Sequence, residues 1–122
     1  MGRVTFLLLV CIISLSLSGQ EIEHKTALVI GNSNYPGKGY LPAPEKEADS
    51  IGQLFNRYGF DTIRCVNGNL NSMLQALKRF YGKVKRNGIA VVYYTGHGYQ
   101  NDGINYLVPI DYNGTTSLDS GT

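Results

Sequence analysis

Three short apolar runs, separated by two amphipathic stretches, predict alternating strands and helices. Residues 25–30, 60–66 and 89–94 are rich in β-branched and aromatic side chains and end at polar or glycine positions, which is typical of buried strands. The order strand, helix, strand, helix, strand implies right-handed crossovers and a parallel sheet covered by helices on both faces. Apolar residues occupy both the odd and the even positions of the third run, so both of its faces would be buried. We therefore expect it to be a central strand.

The two amphipathic stretches carry helix boundary signals. Pro44 suits the first turn of the first helix, and Gly59 predicts its end. Asn71 is the predicted cap of the second helix, and Gly88 is expected to close it. Helical spacing predicts two apolar faces, made of Ala48, Ile51, Leu54, Phe55 and Tyr58 in the first helix and Met73, Leu74, Leu77, Phe80, Tyr81 and Val84 in the second.

The chain after the third strand is mostly polar. Residues 99–105 are predicted to form a hairpin-like stretch, and residues 106–111 a short strand. Residues 114–122 are small and polar, so we expect a tail or loop there.

The N-terminal segment predicts a signal peptide over residues 1–19. Arg3 precedes an apolar run over residues 4–17, and Ser16 and Ser18 are small enough for cleavage near Gly19. The run is too short to span a bilayer comfortably, although an uncleaved signal anchor is the alternative. We therefore expect a secreted or periplasmic protein with no membrane contact beyond this segment.

The length of the remaining chain limits it to one small domain, expected over residues 25–113. The net charge of +2 is too small to indicate binding to nucleic acid. Cys11 lies in the predicted signal peptide, which leaves Cys65 without an intramolecular disulfide partner. No cysteine and histidine spacing matches a zinc site, so no metal ligands are predicted.

His97 is the strongest candidate for chemistry, because it stands between two glycines directly after the third strand. Sites in doubly wound sheets form at the carboxyl ends of strands. If the third strand pairs with the first, His97 faces a cleft bounded by the loop over residues 31–41. A histidine pKa near about 6.5 suits a general base, and the Gly98 N–H could hold an oxyanion. The alternative is a loop histidine with a structural hydrogen bond.

A nucleophile to pair with His97 is not evident. Cys65 ends the second strand, but a cysteine in a strand is more often a core residue than a catalytic thiol. No serine lies in a G-x-S-x-G pattern. The loop after the first strand fails the phosphate-loop pattern, since five residues instead of four separate Gly31 from Gly37.

Several motifs together resemble the caspase-like cysteine peptidases, and most closely their metacaspase and bacterial branches. These are residues 27–32, Tyr35, residues 41–48, Gly59 with Phe60, residues 93–98 and residues 105–111. The resemblance implies an α/β, three-layer caspase-like fold: a doubly wound, mainly parallel sheet with helices on both faces, incomplete at the C-terminus. It also implies a cysteine–histidine dyad, with His97 as base and Gly98 as oxyanion donor. The dyad cysteine is expected about 50 residues after the histidine, beyond Thr122.

The resemblance also bears on the substrate. Caspases proper bind an aspartate side chain through an arginine in the loop after the first strand, where this chain has Leu41. Metacaspase-like members instead have an acidic residue at the start of the next helix, which favours cleavage after arginine or lysine. The matching residue is Glu47, and Asp49 is a nearby substitute one helical face away. Glu47 has an alternative role, because an acidic residue in the first turn stabilises a helix through its dipole.

The expected function is thus a cysteine-type endopeptidase acting on peptides or proteins, with a preference for basic residues. No resident cofactor is predicted, although the resemblance leaves calcium open. A catalytically inactive caspase-like binding module is the first alternative. A flavodoxin-like binder of small molecules is the second, and the failed phosphate-loop pattern disfavours it.

Overall fold

The computed structural model describes residues 24–113, which contain a parallel sheet, two α-helices and a hairpin. The elements in chain order are β1 (Lys25–Gly31), a 3-10 turn (Gly37–Gly39), α1 (Pro44–Arg57), β2 (Asp61–Val66), α2 (Leu70–Lys83), β3 (Ile89–Thr95), β4 (Gly98–Asn101) and β5 (Ile104–Leu107). The predicted α/β order is therefore confirmed. The predicted signal peptide over residues 1–19 and the tail over residues 114–122 lie outside the described residues.

The three parallel strands are ordered β2–β1–β3. The central strand β1 is almost fully buried, and its Ala27, Leu28 and Val29 are 0% exposed. In register, Gly31 lies opposite Val66 of β2 and Thr95 of β3. The carboxyl ends of β1 and β3 are thus side by side, which is the arrangement that the cleft hypothesis requires.

The expectation that the third strand is central is wrong for the described part of the chain. There, β3 pairs only with β1, and Ile89 and Val92 are 37% and 52% exposed. Helix α1 lies against all three strands, whereas α2 lies against β1 and β2. Val92 is in register with Leu28, so both side chains lie on the face of the sheet that α2 covers. Val92 is nevertheless exposed, because α2 does not reach as far as β3.

The two helices pack on opposite faces of the sheet. Leu28 and Ile30 of β1 belong to the cluster that buries Ala76 and Phe80 of α2. Side chains alternate along a strand, so Gly31 faces the other side, where a Cβ would collide with Ala48 of α1. The doubly wound arrangement predicted from the sequence is therefore present.

Helix α1 begins and ends as predicted. Pro44 is its first residue, and Gly59, with φ of +82°, follows the C-cap Tyr58. The N-cap Ala43 has no side chain able to cap, and Ser33 from the loop after β1 supplies the missing acceptor. Its Oγ accepts a hydrogen bond of 2.9 Å from the Glu45 N–H, so this loop is tied to the helix start.

Helix α2 differs from the prediction at both ends. Its cap is Asn69 and not Asn71, because the Asn69 side chain accepts a hydrogen bond from the Ser72 N–H. The helix ends at Lys83, well before Gly88. Ala76 and Phe80 lie at the centre of its buried face, which leaves two residues of the predicted apolar face largely exposed, Leu74 at 54% and Tyr81 at 69%.

The predicted hairpin is present as β4 and β5, but the strand expected over residues 106–111 is instead Ile104–Leu107, the second strand of that hairpin. Asp102 and Gly103 both have positive φ, of +47° and +79°, as a two-residue turn of type I′ requires. This Asp-Gly signal places the turn between β4 and β5. Among residues 24–113, neither helix combines the length and the apolar character needed to cross a bilayer.

Candidate active site

His97 lies in the short connection between β3 and β4, at the carboxyl edge of the sheet. Its Nε2 is 2.7 Å from the carbonyl oxygen of Gly39, and its ring packs on Tyr35 with centroids 4.5 Å apart. A carbonyl oxygen can only accept, so Nε2 is the donor in this contact. In the neutral imidazole, Nδ1 then carries the lone pair and is available to accept a proton.

Two tyrosine hydroxyls hold the main chain of His97. The Tyr35 hydroxyl accepts a hydrogen bond of 3.0 Å from the His97 N–H, and the Tyr94 hydroxyl donates one to the His97 carbonyl. Tyr35 also donates to the Val108 carbonyl, at 2.8 Å. The neighbouring Gly96 has φ of +155°, and a Cβ there would lie 2.7 Å from each hydroxyl. Gly96 is thus required for the close approach of both tyrosines.

The two hydroxyls are 3.2 Å apart in a partly buried setting. Burial raises the pKa of Tyr94, and the nearby Tyr35 hydroxyl raises it further. Tyr94 therefore keeps its proton at neutral pH and can act as a donor toward His97.

Asn32, directly after β1, connects three segments around the site and is 0% exposed. Its side-chain oxygen accepts from the Gly68 N–H at 2.9 Å, and its side-chain nitrogen donates to the Val108 carbonyl at 3.2 Å. Its own N–H donates to the Thr95 carbonyl at 3.0 Å. These bonds fix the end of β3 relative to the chain that follows β5.

The N–H of Gly98 is not used by the hairpin ladder. Gly98 pairs with Leu107, and the Val108 N–H donates to the His97 carbonyl one residue outside that pair. In an antiparallel ladder, this pattern makes Gly98 and Leu107 a non-hydrogen-bonded pair. The Gly98 N–H is therefore not turned toward β5.

Glu47 is brought to the same sheet edge as His97. The Thr95 hydroxyl, at the end of β3, donates a hydrogen bond of 2.6 Å to the Glu47 carboxylate. Asp49 is not brought there, because its carboxylate forms an ion pair with Arg64 of β2. Of the two predicted substrate-binding carboxylates, only Glu47 is therefore brought near the site. It contacts Thr95, which precedes His97 by two residues.

Cys65 lies in the core between the sheet and α2 and is 8% exposed. Burial raises the pKa of its thiol, which keeps it protonated and poorly reactive. These features favour a structural cysteine over a catalytic one. Within residues 24–113, no group of three or more His, Cys, Asp or Glu side chains could hold a metal ion.

The cleft expected between the two loops is present, with a volume of about 490 Å³. Tyr35, Pro36 and Gly39 line it from the loop after β1, and His97 and Gly98 line it from the connection after β3. The imidazole therefore borders a space large enough for a substrate side chain.

Sequence reasoning missed the groups that orient His97. Gly39 contributes its main-chain carbonyl, which every residue has, so no pattern of side chains could identify it. Tyr35 and Tyr94 stand in the quoted motifs, but nothing in their spacing shows that their hydroxyls meet. Asn32 offers a weak signal, because a polar side chain directly after a buried strand needs partners at the sheet edge.

Comparisons with known proteins show the family to which this chain is similar. Residues 24–120 match the peptidase C14 family model described as the caspase domain. Mucosa-associated lymphoid tissue lymphoma translocation protein 1 of Homo sapiens is 31% identical over 89 residues, which are 73% of this chain and 11% of that protein. Its Mus musculus homolog is 30% identical over 95 residues, which are 77% of this chain and 11% of that protein.

The chain thus spans about a tenth of the length of the curated relatives it matches. The family match covers most of the chain and includes His97, Gly98 and Glu47. The resemblance to caspase-like peptidases is therefore confirmed, and the chain belongs to the caspase domain family of C14 peptidases.

Proposed function

We propose that this domain supplies the catalytic histidine of a cysteine-type endopeptidase of the caspase and metacaspase type. Family membership supports peptidase chemistry in general. The observation that carries the role of His97 is the bond between its Nε2 and the Gly39 carbonyl. That bond leaves Nδ1 as the proton acceptor, which a dyad base needs.

In this proposal, Nδ1 of His97 takes the proton of a cysteine thiol, and the thiolate attacks the peptide carbonyl carbon. The Gly98 N–H stabilises the oxyanion that develops. The carbon–nitrogen bond then breaks, and the imidazolium returns its proton to the leaving amine. Water hydrolyses the remaining thioester and restores the thiol.

The thiol has to come from outside residues 24–113, because the cysteine described there, Cys65, is buried in the core. The family pattern places the catalytic cysteine about 50 residues after the histidine. Sequencing the gene beyond the codon for Thr122 tests this directly. An Ala-Cys-Arg-type motif after a new apolar strand would supply the nucleophile.

Glu47 is the proposed determinant of a preference for arginine or lysine before the cleaved bond. Its carboxylate is exposed and oriented by the Thr95 hydroxyl at the sheet edge. An arginine or lysine side chain would gain a charge-assisted hydrogen bond there, whereas an aspartate side chain would be repelled.

The decisive experiment treats the native gene product with fluorogenic peptides that differ only in arginine, aspartate or alanine before the scissile bond. We expect cleavage after arginine, and a loss of at least about 100-fold in His97→Ala, the usual size of a general-base contribution. Tyr81→Ala is the control, since this side chain is 69% exposed on α2. Unchanged cleavage in His97→Ala would remove His97 from the mechanism.

A catalytically inactive binding module is the second candidate, favoured by the burial of Cys65. The two candidates differ in their reaction with a peptidyl electrophile that ends in arginine. The peptidase is labelled on one cysteine, and the label disappears in His97→Ala. An inactive module is not labelled.

We also propose that the protein is secreted or periplasmic, which rests on the signal-peptide pattern of residues 1–19. N-terminal sequencing of the mature protein should find a start near Gly19. A mature protein that retains Arg3 would contradict this proposal.

A further inference from the structure

The cleft at His97 continues away from the imidazole into a second pocket, and both are mainly apolar. Beyond His97 and Gly98, its walls include Tyr99, at the start of the hairpin, and Tyr112, after β5. The second pocket, of about 180 Å³, shares both tyrosines. Together the two form one continuous groove, called here the aromatic groove.

The aromatic groove has preformed walls. The ring of Tyr99 stacks on Tyr106 of the neighbouring strand, with centroids 4.9 Å apart and planes 12° from parallel. The Tyr99 ring also packs on Tyr112, with centroids 5.9 Å apart. Stacked rings lose little conformational freedom when a ligand binds, so these walls favour recognition of an apolar group.

The charge of the groove excludes one class of side chain. Among residues 24–113, those lining the groove include one carboxylate, Asp111, and no lysine or arginine. The Asp111 side chain accepts a hydrogen bond of 2.9 Å from the Leu70 N–H, which holds it at the groove wall. An acidic ligand residue beside Asp111 would therefore meet repulsion that no lysine or arginine of the described lining offsets.

The chemistry of the proposed reaction indicates which half of a substrate lies here. The histidine that accepts the thiol proton returns it to the leaving amine, so the residue bearing that amine passes beside His97. Glu47 and Thr95, which are proposed to bind the residue before the scissile bond, do not line the groove. The groove thus extends on the leaving-group side.

We propose that the aromatic groove binds the leaving-group half of the substrate and selects an apolar residue, such as leucine or phenylalanine, directly after the cleaved bond. This inference rests on the proposed peptidase function. Tyr99 and Tyr112 are the specificity-determining residues, and Asp111 acts against acidic residues at the same position.

The first test uses quenched fluorescent peptides on the native gene product, with the sequence before the scissile bond held constant. The residue after the bond is leucine, phenylalanine, serine or aspartate. We expect kcat/KM to be at least tenfold higher for leucine and phenylalanine than for aspartate. In Tyr112→Ala this ratio should fall toward one, whereas Tyr81→Ala should keep it.

The outcomes separate this inference from the proposed function. Efficient cleavage with no dependence on the residue after the bond would overturn the inference and leave the peptidase intact. Absence of all cleavage would overturn the peptidase, and the groove is then tested on the 122-residue chain alone.

That second test titrates the ¹⁵N-labelled chain with the tetrapeptides Leu-Gly-Gly-Gly-amide and Asp-Gly-Gly-Gly-amide. Amide shifts at Gly98, Tyr99 and Tyr112 with the leucine peptide, absent with the aspartate peptide and in Tyr112→Ala, would support the groove as the binding site. Equal shifts with both peptides, or none with either, would overturn it.

Discussion

At the residue scale, the site depends on groups that hold His97 in place more than on additional catalytic side chains. Tyr35 contacts its N–H and Tyr94 its carbonyl, while Gly39 orients the ring. Each of these bonds uses a polar group that would otherwise be partly buried and unpaired, which costs about 1–3 kcal/mol. His97 is therefore positioned before any substrate binds.

Replacing Tyr94 by phenylalanine should change the dependence of stability on alkaline pH. The raised pKa of Tyr94 means that the folded chain keeps a proton that the unfolded chain loses above about pH 10. The free energy of unfolding should therefore decrease as the pH rises through this range, and Tyr94→Phe should show a shallower decrease. Urea unfolding at pH 8 and pH 10.5 measures the difference.

The matched control is Tyr81→Phe, because the Tyr81 ring is 69% exposed. It should keep the full alkaline decrease, and Cys65 contributes equally to all three proteins. At pH 8, Tyr94→Phe should also be less stable by about 1 kcal/mol, owing to its lost hydrogen bonds. An identical alkaline decrease in Tyr94→Phe would show that this hydroxyl does not cause it.

At the scale of elements, the close contact between β1 and α1 brings the loop over residues 31–41 to the site. Gly31 permits that contact, because it lies against Ala48 and Pro44 at the start of the helix. The same helix start carries Glu47 to Thr95. The position of α1 thus determines both the packing at Gly31 and the contact between Glu47 and Thr95.

Gly31→Ala should destabilise the chain by about 1–3 kcal/mol, the usual cost of overpacking. Its new methyl group would lie 2.6 Å from the Pro44 carbonyl oxygen, so α1 would have to move. Gly82→Ala is the opposite case, since nothing lies within 4 Å of its Cβ position in α2. It should stabilise by about 0.5–1 kcal/mol through helix propensity.

Thermal and urea unfolding of both variants would check this pair. Equal stability of Gly31→Ala and the wild type would show that α1 can shift without cost. In that case, the contact between Glu47 and Thr95 should also be tested, since it depends on the same helix position.

At the scale of the whole molecule, the alternation of strands and helices, the placement of the helices on both faces of the sheet and the location of His97 after β3 follow from patterns in the sequence. These depend on periodicity and on glycine and proline signals, which are local. The exposure of β3 could not be predicted, because an apolar run does not show how far α2 reaches across the sheet. The partner of the His97 ring could not be predicted either, since Gly39 contributes only its main chain.

The exposed β3 gives a prediction for the isolated 122-residue chain. In the described residues, β3 has one unpaired edge and an apolar surface at Val92, which is 52% exposed. Such edges favour pairing between chains. We expect self-association in sedimentation measurements, weakened at least about tenfold by Val92→Lys, or about 1.4 kcal/mol. Leu74→Lys on α2 should leave it unchanged, and equal effects of both would exclude β3 as the interface.

The bond between His97 and the Gly39 carbonyl has a consequence for mutational studies and for evolution. A substitution at position 39 leaves the main-chain oxygen in place, but a Cβ there would lie 2.9 Å from the Cβ of Tyr35, so the loop or the tyrosine would have to move. Alanine scanning replaces side chains and will therefore not identify this oxygen. In such a scan, His97 would show no group that orients its ring. This orienting contact is lost when the backbone path of the loop changes, which makes it sensitive to insertions, to deletions and to any side chain at position 39.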